Sequence, residues 1–113
     1  MPAVLDFELR LSRQSEGIDP DVRMWIDLDG NQQMDNNEEI RPLRRDGLVW
    51  RGTRMLASEG VAGTGFLVRF QAARGTRWRL RVWADDGDSR HLAFEQDDVT
   101  QETSHRIIGW CHD

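Results

Sequence analysis

The chain has 113 residues and a formal net charge of −5, which sets it against nucleic acid as a main partner. That length suits one domain with a single sizeable core, and the one cysteine, Cys111, excludes an internal disulfide framework. No apolar run reaches the roughly 20 residues that span a bilayer.

Predicted elements begin at once. "AVLDFELRLS" puts Ala3, Leu5, Phe7, Leu9 and Leu11 on one face and Asp6, Glu8 and Arg10 on the other, the period-two pattern of a half-buried antiparallel strand. "MPAVLDFELR" lacks a basic region followed by an apolar stretch, so it does not read as a secretory signal. A full-length chain of this kind is expected in the cytoplasm or exported by another route. "DVRMWIDLD" repeats the alternation, with Val22, Met24, Ile26 and Leu28 inward and Arg23, Trp25 and Asp27 outward.

Next comes "DLDGNQQMDNNE". With Asp27 as position one, Asp29, Asn31, Gln33, Asp35 and Glu38 fall at three, five, seven, nine and twelve. That is the oxygen-ligand spacing of a twelve-residue calcium loop, whose seventh position offers a backbone carbonyl and whose twelfth closes the site with a carboxylate. Met34 falls at the apolar eighth position, and Gly30 permits a tight bend. Gln32 stands at position six, where such loops usually carry glycine; a positive φ there costs on the order of 1 kcal/mol. The other reading of the stretch is a charged turn without a metal.

Weaker strands are predicted over 39–43, 47–55, 91–95 and 104–110. "GFLVRFQAARGTRWRLRVWAD" reads as a hairpin: Phe66, Val68 and Phe70 alternate on one arm, Trp78, Leu80 and Val82 on the other, with the turn at "AARGT". Its outward face gathers Arg77, Arg79 and Arg81 with Arg69 opposite, a positive stripe that could receive an acidic or phosphate-bearing partner or interleave with acidic residues of a neighbouring strand. Trp50 and Trp78 fall on apolar faces. Trp25 and Trp83 fall on polar faces, where exposed indoles would form a stacking platform for a sugar, or where a covering segment or arginine would occupy them. Cys111 and His112 lie in "WCHD", read as a fraying end, because four ligands would be needed for closed zinc. No short stretch holds a catalytic signature such as GxSxG, HExxH or GxxxxGK[ST], so no enzyme activity is expected. Six to eight short strands with turn signals between them point to a single antiparallel β-sandwich over 1–113.

The acidic loop resembles the calcium loops of EF-hands and dockerins and, because a strand leads into it, those of calcium-stabilised β-domains in bacterial surface adhesins. The resemblance implies Ca2+ held by Asp27, Asp29, Asn31, Gln33, Asp35 and Glu38, in a non-catalytic structural or protein-interaction module. "DPDVRMWIDLDG" and "LRVWADDGDSRH" resemble the calcium-and-phospholipid domains of the synaptotagmin type. That resemblance implies a second acidic site from Asp19, Asp85, Asp86 and Asp88 and an anionic lipid partner. Ala84 departs from its pattern, and a solvated "DDGD" turn is the plainer reading. A carbohydrate ligand on Trp25 and Trp83, with Arg77, Arg79 and Arg81, is the remaining alternative. The sequence carries no sign of oligomeric state.

Overall fold

The structure, a computed structural model, describes residues 3–28, 33, 35–56, 63–85 and 87–112. Within them, strands β1 (Val4–Leu11), β2 (Arg23–Ile26), β3 (Arg44–Asp46), β4 (Val49–Met55), β5 (Gly65–Gln71), β6 (Arg77–Asp85), β7 (Arg90–Val99) and β8 (Ser104–Trp110) form two antiparallel sheets. The larger runs β3-β4-β1-β6-β7 and the smaller β2-β5-β8. The predicted antiparallel sandwich is therefore observed.

Alternation sets which side chains face inward. On β1, Leu5, Phe7 and Leu9 are 0–1% exposed, and their cross-strand partners Leu80, Val82 and Ala84 on β6 are buried with them. The small sheet contributes Met24, Ile26, Phe66, Val68, Phe70 and Ile107. Edge-to-face ring pairs lock the two layers: Phe7 on Phe66 at 5.5 Å, Phe66 on Phe94 at 4.8 Å and Phe70 on Trp78 at 6.2 Å. Each such pair adds about 0.5–1.5 kcal/mol beyond the area it buries. Gly52, opposite Phe7 on β4, leaves room for the segment that follows the acidic loop. A Cβ there would stand 2.7 Å from Leu43 Cδ2 and 2.9 Å from Ile40 Cγ2.

Four expectations change. The hairpin over 65–85 is instead an arch: β5 and β6 belong to different sheets. The chain crosses between layers at Ala72–Thr76, where Gly75 takes φ +86°. Side-chain hydroxyls add to the backbone bonds at this corner. The Thr76 N–H donates to Thr100 Oγ1 at 3.0 Å, Thr100 Oγ1 donates to the Ala73 carbonyl at 2.9 Å, and the Ala73 N–H donates to Ser15 Oγ at 2.7 Å. Arg69 thus lies on the sheet opposite to Arg77, Arg79 and Arg81. Residues 39–43 are not a strand; only Glu39 bridges to Trp25, and the Ile40 N–H donates to the Met24 carbonyl at 2.8 Å. Leu28 is 42% exposed because β2 ends at Ile26. The C-terminal segment is tied down: the Cys111 N–H donates to the Thr64 carbonyl and the His112 N–H to the Ala93 carbonyl. Burial pushes the Cys111 thiol up to about 11.

Candidate functional site

The acidic loop leaves β2 and returns beside it. The Asp27 N–H donates to the Gly65 carbonyl at 2.9 Å, prolonging the β2–β5 pairing by one residue before the chain departs. The return is a one-turn 3-10 helix, Asn36–Glu38, entered at Asp35. Glu38 is 2% exposed, among the most buried side chains of the fold. Its Oε2 accepts the Leu28 N–H at 2.5 Å and its Oε1 accepts the Asp35 N–H at 3.0 Å. Positions one and twelve of the loop are therefore brought together, since Leu28 directly follows Asp27. An ionised carboxylate has about four lone-pair positions, of which these amides use two. Asp27 is half-buried, whereas Gln33 and Asp35 are exposed. Asp29, Gly30, Asn31, Gln32 and Met34 lie outside the described residues, and two of these, Asp29 and Asn31, are among the six expected ligands. Among the described residues, no group of three or more acidic, histidine or cysteine side chains is placed to hold a metal.

Arginines grip the outside of the return. Arg54 Nη2 donates to the Asn37 carbonyl at 3.4 Å and Arg41 Nη2 to the Asn36 carbonyl at 3.5 Å. Glu39, which the sequence marks in no way, is nearly buried and takes Arg23 in a fork, Nε at 3.1 Å and Nη2 at 2.9 Å. The Arg23 hydrogen bonds hold the Glu39 carboxyl below the usual carboxylate range, against the opposing effect of burial.

The second acidic set is not assembled. Asp19 sits beside Pro20, whose carbonyl accepts the Gln71 N–H at the far end of β5. Asp85 pairs with Val4 at the opposite end, at the far end of β6 from Arg77. At roughly 3.3 Å per residue the two ends stand about 26 Å apart. Each carboxylate instead serves its own turn: Asp19 Oδ1 accepts the Asp21 N–H at 3.0 Å, and Asp85 Oδ1 accepts the Gly87 N–H at 2.8 Å. Asp88 lies in the same turn as Asp85, and Asp86 lies outside the described residues. A two-loop lipid site needs its aspartates at one end, so this grouping lacks the geometry it requires.

The expected pair of exposed indoles also separates. Trp25 is 6% exposed, on the outer side of the small sheet, with the Arg23 and Arg69 guanidinium carbons 5.0 and 5.3 Å from its ring centre. Parity gave its direction, but the arginines and the returning Glu39 segment cover it. Trp83 is half-buried on the outer face of the large sheet, with Arg90 over it at 4.8 Å. It borders a cleft of 230 Å3 shared with Asp6, Glu8, Arg51, Thr53 and Arg90. The arginine stripe pairs with acids of β7, and a further arginine on β4 pairs with an acid of β1. Arg81 meets Glu95 at 2.6 Å, Arg79 reaches Asp97 at 3.9 Å, and Arg51 meets Glu8 at 3.5 Å.

Among the described residues, no helix is long and apolar enough to cross a membrane. No protein-family model, curated protein or solved structure matches this chain.

Proposed function

We propose that the chain is a non-catalytic β-sandwich module whose loop 27–38 holds a calcium ion and whose role is structural or protein-interacting. Support comes chiefly from Glu38. Glu38, at 2% exposure, stands at the closing twelfth position of the loop, and the Leu28 and Asp35 amides take two of the roughly four acceptor positions of its carboxylate. A divalent cation beside it, shared with Asp27 and the oxygens of Asp29, Asn31, Gln33 and Asp35, would neutralise the loop. Oxygen-only donors suit a hard cation. The ion would staple the exit from β2 to the return at Glu39, and a ligand that binds only the folded state adds about 2.7 kcal/mol of stability at a hundredfold excess over its Kd.

Thermal melting in calcium, in magnesium and in chelator tests this reading. Calcium should raise the melting temperature of the wild type, and Asp27→Asn, which keeps the side-chain volume, should remove most of that rise. An identical midpoint in calcium and chelator overturns it.

A second reading has its own observation, the cleft beside Trp83. An indole bordered by Asp6, Glu8 and Thr53, with Arg90 over its ring, offers stacking when Arg90 swings aside, together with hydrogen-bond donors and acceptors, the combination that recognises a sugar ring. Quenching of tryptophan fluorescence by neutral oligosaccharides, lost in Trp83→Ala, is the expected result; no response across a panel removes this reading.

A further inference from the structure

The outer face of the five-stranded sheet is a lattice of alternating charge. β4 supplies Arg51, β1 supplies Asp6 and Glu8, β6 supplies Arg79 and Arg81, and β7 supplies Glu95 and Asp97. Cross-strand pairs of opposite charge stabilise a sheet, and like charges directly opposite destabilise it. One row beyond Glu8 the lattice breaks. The third charged outward residue of β1 is Arg10, and the register sets it directly opposite Arg79. Arg77, two residues before Arg79 on the same strand, projects to the same face.

These three arginines border a cleft of 560 Å3, together with Ser12, Asp97 and Asp98. Arg10 and Arg77 are exposed and form no ion pair with any described residue, and Arg79 reaches Asp97 only at 3.9 Å. Asp98 Oδ1 is engaged by the Val99 N–H at 2.8 Å. Two carboxylates against three guanidinium groups leave the cleft with an excess positive charge on an acidic protein. Ser12 Oγ accepts the Arg77 N–H at 3.1 Å, which leaves its own proton to donate.

We propose that this cleft binds a tetrahedral oxyanion of the phosphate or sulfate class. Arg10 and Arg77 are its principal donors, Ser12 adds a hydroxyl, and Arg79 joins the anion to Asp97. Guanidinium forks match such oxygens in pairs, and an anion between Arg10 and Arg79 relieves the repulsion of the register. The site lies on a different sheet from loop 27–38 and needs no calcium.

The test is a calorimetric titration of the whole chain with inorganic phosphate, in chelator, at ionic strength held constant with chloride. Saturable binding is expected, and sulfate should compete. Arg10→Glu, which continues the acidic column of β1, should preserve the fold and lower phosphate affinity about tenfold or more. Arg77→Gln should weaken it similarly, while Arg106→Gln on the other sheet should leave it unchanged. If circular dichroism shows Arg10→Glu unfolded, Arg77→Gln, at an exposed position, carries the comparison alone. Pelleting with phosphatidylcholine vesicles, with and without phosphatidylserine, separates the source of the anion. Capture lost in the variants identifies a lipid headgroup, and phosphate binding without capture identifies a free anion. No saturable phosphate binding, or binding undiminished in both variants, overturns the proposal.

Discussion

Glu38 ties two backbone amides that are seven residues apart, at Leu28 and Asp35. Glu38→Ala removes both bonds and leaves two donors without partners, so it should cost about 2–4 kcal/mol in urea unfolding even in chelator. Asp27→Asn should cost more in calcium than in chelator. Equal losses for both variants in calcium and in chelator would make Glu38 a staple alone. Two further residues govern the response to acid. The Glu39 carboxyl is depressed below its ordinary 4.5 by Arg23. Its contribution is therefore complete above the ordinary value and is lost as pH falls through the depressed one. Arg23→Ala should flatten that limb of an acid titration followed by tryptophan fluorescence. His105 packs on Phe70 and Trp78 at 5.4 and 5.2 Å, and burial depresses its imidazole below 6.5, opposed by the charge of Asp98. The folded state thus disfavours the extra proton, so stability falls as pH drops through and below 6.5 toward the depressed value. His105→Phe should remove that slope between neutral pH and the Glu39 limb.

At the scale of elements, the long alternating strands were legible, whereas the short strand β3 (expected at 39–43, found at Arg44–Asp46) and strand partnership were not. Alternation over 3–11, 66–70 and 78–84 marks buried faces, and those faces are buried. The same alternation serves a hairpin and an arch equally, because Phe70 and Trp78 face one side of a common sheet or face each other across a core. What decides is the corner of Ser15, Ala73, Thr76 and Thr100, whose hydroxyls come from segments remote in sequence. Leu28 and Trp25 failed for a related reason: parity gives direction, while cover depends on where β2 stops and where Glu39 returns. The crowding of the sandwich is testable at Gly109. A Cβ there would stand 2.7 Å from Phe66 and 2.8 Å from Phe94, so Gly109→Ala should cost about 1–3 kcal/mol. A loss within error of zero would mean that the two rings yield.

For the whole molecule, the outer face of the large sheet carries the alternating charges of β4, β1, β6 and β7, and the return segment Asn36–Ile40 lies between β2 and β4. The ligand spacing of that loop was legible as a count of residues. The burial of both Glu38 and Glu39 was not, since nothing in "DNNEEI" separates these two glutamates from the exposed Asp35, Asn36 and Asn37 until the 3-10 turn sets their direction. If calcium couples the two flanks, the wild type should unfold at a higher urea concentration in calcium than in chelator with an unchanged slope, because a change in midpoint alone reports stability rather than compactness. The direct measurement is an anomalous-difference map from crystals grown in calcium. Calcium binding as proposed predicts one peak within 2.3–2.6 Å, roughly, of carboxylate oxygens of Asp27 and Glu38. An ordered loop with no peak, or a peak away from both residues, would contradict it.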